Sequence, residues 1–121
     1  MALPRAQRVR RTSDFARVRE RGSSWTGRLL ILAILPLPDE PHAKFGFTVT
    51  RRIGNAVVRN KIRRRLAAIT GSLAPQIKGP HLIVTIPRHG AVKAEFTAIK
   101  AEWIKLATRA GLLLPQPDEP P

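Results

Sequence analysis

The chain predicts an α+β fold, a single-domain α/β sandwich with the element order αββαβα. Three observations carry this. A basic segment keeps apolar residues at helical spacing, two nearby segments carry strand patterns of different kinds, and a second long helical stripe lies toward the C-terminus. At 121 residues the chain holds one core and not two.

Residues 1–11 read as a basic, flexible arm, 12–112 as the folded domain and 113–121 as a disordered tail rich in proline. Thr12-Ser13-Asp14 offers N-cap chemistry before Phe15 and Val18, and Gly22 stops that short first helix. Gly22 to Gly27 reads as loop. Leu29–Leu35 is an unbroken apolar run, expected to form a central strand covered on both faces and ended by Pro36 and Pro38. Phe45 to Thr50 alternates strictly, with Phe45, Phe47 and Val49 on one face. Gly54 then supplies a permissive turn and Asn55 an N-cap for a helix over 56–70, with Gly71 at C′. After a linker over 75–80, His81–Ile86 is a third strand, closed by Pro87. The last helix is expected over 92–110, with Phe96, Ile99, Trp103, Leu106 and Ala110 buried and Gly111 as its cap.

Charge narrows the function. Residues 1–65 hold 16 of the 22 basic residues and 4 of the 8 acids, a net +12, whereas the remainder carries +2. A single-sign field over half a small domain draws it to polyanions. Cysteine is absent, which excludes disulfides, thiolate nucleophiles and zinc–thiolate sites. The Leu29–Leu35 run is far short of the roughly 20 residues of a membrane helix, and it lies too deep for a signal peptide. The chain is expected to be cytoplasmic and mature as written.

The charge peaks from Arg51 to Arg65, where seven of fifteen residues are Lys or Arg and none is acidic. At about 100° per residue, Val58, Ile62, Leu66 and Ile69 fall within an arc of about 80°. Arg59, Asn60, Lys61, Arg63 and Arg64 sweep the rest of the circumference, and Arg65 at the stripe's edge must turn its head outward. The like-charge pairs Arg59/Arg63 and Lys61/Arg65 cost a few tenths of a kcal/mol each, roughly, with no acid to relieve them. Such a face suits external phosphates, and Asn60 adds a neutral group able to reach a base edge or ribose hydroxyl.

The run Thr50 to Leu66, Thr-Arg-Arg-Ile-Gly-Asn-Ala-Val-Val-Arg-Asn-Lys-Ile-Arg-Arg-Arg-Leu, resembles the signature of the bacterial ribonuclease P protein subunit. Ser13-Asp14-Phe15-Ala16-Arg17-Val18, with Gly22 behind it, is similar to that family's first helix, and the resemblance spans roughly residues 8 to 112. It implies an α/β sandwich whose crossover through the basic helix is left-handed, against the usual rule. It implies an RNA-based endoribonuclease that removes the 5′ leader of precursor tRNA and leaves 5′-phosphomonoesters, with the chemistry in the RNA.

By the same resemblance Arg51, Arg52, Asn55, Arg59, Asn60, Lys61, Arg63, Arg64 and Arg65 contact a catalytic RNA subunit bound one to one. A cleft along the first helix, with Phe15, Arg19, Phe47, Val49 and Arg88, holds the leader. Some members carry aromatics where this chain has Arg19 and Ala33. Each base stacked on an aromatic contributes roughly 1–3 kcal/mol, so their absence weighs against a stacking-dominated cleft.

No arrangement of side chains suggests that the protein cuts RNA itself. Asp39, Glu40, Asp118, Glu119, Glu95 and Glu102 form no grouping like a two-metal site, and His42, His81 and His89 are scattered. No cofactor or metal is expected on the protein, and Mg2+ is expected through the RNA subunit. The expected partners are that RNA and precursor tRNA, with no membrane and no obligate protein partner. The alternative is a non-enzymatic ribosomal-type or RNA-chaperone protein. A DNA regulator is disfavoured, because its recognition helix would follow a helix and tight turn rather than a strand.

Overall fold

The computed structural model of the protein describes residues 12–38 and 40–113; the expected N-terminal arm and all but the first residue of the C-terminal tail lie outside them. Three helices and a four-stranded mixed sheet make the expected α+β fold: α1 (Thr12–Arg21), β1 (Ser23–Thr26), β2 (Leu30–Pro36), β3 (Lys44–Phe47), α2 (Ala56–Leu73), β4 (His81–Pro87) and α3 (Phe96–Arg109). Short 3-10 turns cover Arg51–Ile53, Ala74–Gln76 and His89–Val92.

The sheet order is β1-β2-β4-β3. β2 pairs antiparallel with both neighbours, Ser23 opposite Ile34 and Leu30 opposite Pro87, while β3 runs parallel to β4 with Phe45 opposite Ile83. The two apolar strand patterns follow from this. β2 is central, with the main core on one face and α1 and its cleft on the other, so both faces are apolar; β3 is an edge strand.

Alternate residues of β2 and β4 feed two cores. Leu30, Leu32, Ile34 and Ile83 join Phe45, the α2 residues Ile62, Leu66, Ile69 and Leu73, and the α3 residues Ile99, Trp103 and Leu106. Leu82 and Val84 face the other way, onto Val18 of α1, flanked by Phe15, Ala33, Leu35 and Ile86. Trp103 is fully buried and its Nε1–H donates to the Thr85 hydroxyl at 3.0 Å, so neither polar group is stranded.

Several element bounds depart from expectation. The segment read as loop between Gly22 and Gly27 contains β1, whose Ser-Ser-Trp-Thr sequence lies largely exposed on a sheet edge and shows no buried alternation. Gly22 ends α1 as expected, but close packing fixes it as well. A Cβ there would stand 2.6 Å from the Val18 carbonyl oxygen and 2.7 Å from that of Ile34. α2 runs through Gly71 to Leu73. An internal glycine costs about 1 kcal/mol, which burial of Leu73 on the core side of the next turn offsets. β3 ends at Phe47 rather than Thr50, although the Thr48 N–H still reaches the Thr85 carbonyl at 3.0 Å. α3 starts at Phe96, because His89–Val92 forms a separate 3-10 turn with Ala91 buried.

Candidate nucleic-acid interface

α2 begins as its sequence requires. The Asn55 Oδ1 accepts the Val58 N–H at 3.0 Å, so this side chain is committed to the cap. Gly54 takes φ 156° and ψ −166°, backbone that suits glycine, and a Cβ on it would meet Val58 at 3.0 Å. Ile62, Leu66 and Ile69 are buried and Val58 half-buried, which turns the cationic arc away from the sheet.

Asn60, Lys61, Arg63 and Arg64 are exposed on that arc, and Arg51 and Arg52 are exposed on the turn before it. Asn60 Oδ1 accepts from Arg63 Nη1 at 3.0 Å, which pins one guanidinium to the helix surface. Arg65 is half-buried and, rather than standing free in solvent, donates to the Ala94 carbonyl at 3.3 Å. Arg59 is half-buried, and its Nε is enclosed and has no hydrogen-bond partner among the described residues. The ion pairs among those residues, Arg17–Asp14 at 3.3 Å and Lys44–Glu40 at 3.5 Å, leave α2 without a counter-charge. Val57, 76% exposed, adds an apolar spot beside Asn60, Arg63 and Arg64 that the charge pattern had concealed.

A cleft of about 650 Å³ opens between α1 and the sheet. Phe15, Val18 and Arg19 form its α1 wall; Ile31, Ala33, Val84 and Ile86 give an apolar lining from β2 and β4. Ser23, Ser24 and Thr48 add hydroxyl groups, and Phe47 and Val49 border it at the end of β3. Arg63 reaches this cleft from α2, so the basic face and the cleft share a residue. Four of the five residues expected here are thus brought together.

Arg88 is not among them. Alternation through Leu82, Val84 and Ile86 would carry it to the cleft side. The strand ends at Pro87, however, and Arg88 Nη1 instead donates to the Gly27 carbonyl at 2.8 Å. Among the lining residues that the sequence missed, Ile31 lies in an unbroken apolar run that does not show which face it takes, and nothing marked Ser23 and Ser24.

Three of the described acids are engaged within the protein. Asp14 pairs with Arg17 and Glu40 with Lys44. Both carboxylate oxygens of Glu102 are engaged, accepting the Arg28 N–H at 3.0 Å and the Leu29 and Leu30 N–H groups at 2.6 Å each. Among the described residues no His, Cys, Asp or Glu group is placed to hold one.

The family model described as Ribonuclease P matches residues 3–111. The chain belongs to the ribonuclease P protein family. The ribonuclease P protein component of Syntrophomonas wolfei is 34% identical over 110 residues, covering 91% of this chain and 92% of the relative. That of Acidothermus cellulolyticus is 38% identical over 108 residues, 88% and 90% of the two chains. The solved Staphylococcus aureus RNase P protein has the same fold, with a TM-score of 0.82 at 24% identity over 88% of this chain and 97% of that one. The chain is accordingly the protein subunit of an endoribonuclease that processes the 5′ end of tRNA, and its partner is an RNA subunit. No helix among the described residues is long and apolar enough to cross a membrane.

Proposed function

We propose that the α2 face docks one copy of the catalytic RNA subunit, while the cleft along α1 holds the single-stranded 5′ leader of precursor tRNA. The observation that carries this is the shared position of Arg63, on the uncompensated cationic face and at the cleft. Arg51, Arg52, Arg59, Lys61, Arg64 and Arg65 neutralise backbone phosphates, each releasing condensed counterions, and Asn60 adds a neutral polar contact beside them. Asn55 serves that face by holding its first turn rather than by its own side-chain oxygen.

In the cleft, Phe15 supplies a stacking face and the apolar lining receives base or ribose surface. Arg19 and Arg63 hold the leader phosphates. Arg88 serves elsewhere. The protein's part in cleavage is charge neutralisation and placement of the substrate. Magnesium belongs to the RNA phosphates, since among the described residues no group of acids and histidines is placed to hold it. The particle works in the cytoplasm.

Reconstitution with a bacterial ribonuclease P RNA tests this. Added protein is expected to lower the magnesium needed for leader removal and to favour precursor over mature tRNA. Equal affinity for both tRNAs, with the RNA subunit present and the protein folded, would refute the leader cleft.

A further inference from the structure

A second cationic groove lies on the opposite side of the sheet from the α1 cleft. It is a depression of about 390 Å³ between the β1–β2 turn and α3, and Arg28, Arg88, Lys105 and Arg109 converge on it. All four are exposed, and none makes an ion pair among the described residues. Its one carboxylate, Glu102, is turned into the turn's backbone, where three N–H groups occupy both oxygens. A Cβ on Gly27 would come within 2.7 Å of the Glu102 carboxyl carbon, so the turn rests directly on the acid. Arg88 is anchored by the Gly27 carbonyl, while Lys105 and Arg109, at i and i+4 on α3, repel one another with no acid between them.

The position is as informative as the charge. β3 runs parallel to β4, with Phe47 opposite Thr85, so the chain leaves β3 for α2 at the same end of the sheet where Arg88 follows Pro87. Leu30 opposite Pro87 puts the β1–β2 turn at that end too. Between them the Arg51–Ile53 turn packs against the His89–Val92 turn. A strip of cations therefore runs from the start of α2, through Arg51 and Arg52, to Arg88 and the α3 groove.

We propose that this groove is a second contact for RNA phosphate backbone, continuing across the end of the sheet from α2. Its ligand class rests on the RNA-binding reading above, but its residues are different. A groove with the Arg88 guanidinium anchored at Gly27, and with its one carboxylate already engaged by three backbone N–H groups, binds a chain of phosphates at little reorganisation cost.

The test is a salt titration of affinity for the proteins Lys105→Ala, Arg109→Ala and the double variant. One arm uses bacterial ribonuclease P RNA alone, the other precursor tRNA with the reconstituted holoenzyme. Lys78→Ala, an exposed site near the start of β4 and so at the other end of the sheet, controls for net charge. The double variant is expected to keep its melting temperature and to lower the log–log salt slope by about 1.4–1.8 in one arm, the affected arm naming the RNA. Lys105→Arg with Arg109→Lys should restore it. A wild-type slope in both arms for the double variant, or an equal loss of slope for Lys78→Ala and Lys105→Ala, overturns the groove. Failure of the wild-type protein to bind either RNA would instead overturn the RNA-docking reading.

Discussion

Single side chains in this protein do two kinds of work, and the distinction decides what a substitution does. Asn55 spends its side-chain oxygen on the Val58 N–H. Asn55→Ala is therefore expected to destabilise the fold by about 1 kcal/mol in urea unfolding, with affinity for RNA following only through α2. Glu102 closes three amides of the β1–β2 turn from more than seventy residues away. Glu102→Gln removes the charge and turns an amide N–H2 toward donors, so a loss of about 1–3 kcal/mol is expected on thermal unfolding. Phe15 has the opposite character: it is half-buried, lines the cleft and packs on the smaller core. Phe15→Leu keeps apolar volume but removes the stacking face. The preference for precursor over mature tRNA should fall by about 1–3 kcal/mol, while affinity for the RNA subunit stays put.

At the scale of elements, α2 was the most legible part of the chain, because one period and one charge pattern agree over its length. Val58, Ile62, Leu66 and Ile69 face inward and the cations outward, as the spacing required. Replacing Arg59, Arg63 and Arg64 together with Ala should lower the salt slope of RNA binding by about 0.7–0.9 for each phosphate left without its cation. The melting temperature should hardly move, since no ion pair among the described residues is broken and a like-charge pair is relieved. β1 could not be read this way. Ser-Ser-Trp-Thr owes its strand to the neighbouring β2 rather than to any pattern of its own. Arg88 escaped for a related reason: periodicity places a residue only while the strand lasts, and β4 stops one residue short of it. Gly71 misled as a stop because the burial of Leu73 outweighs its helix penalty.

For the whole molecule, the sheet acts as a partition. Its α1 side carries the cleft, its α2/α3 side carries the main core, and Arg63 of the basic helix, on the exposed cationic face, also lines the cleft. Layering and the basic face were visible in the sequence, because periodicity and charge are local properties. The meeting of α2 with the cleft, and of α3 with the β1–β2 turn, depends on sheet order, which no local pattern encodes. The Glu102 clamp also bears on how the chain matures. The amides it holds belong to the first hairpin, yet the carboxylate arrives only with α3, the last element among the described residues. During synthesis that hairpin turn must wait, unfastened, until the C-terminal helix has emerged. The final docking step of folding then has a natural reporter: the hydrogen-exchange protection of the Arg28, Leu29 and Leu30 amides, acquired together and last.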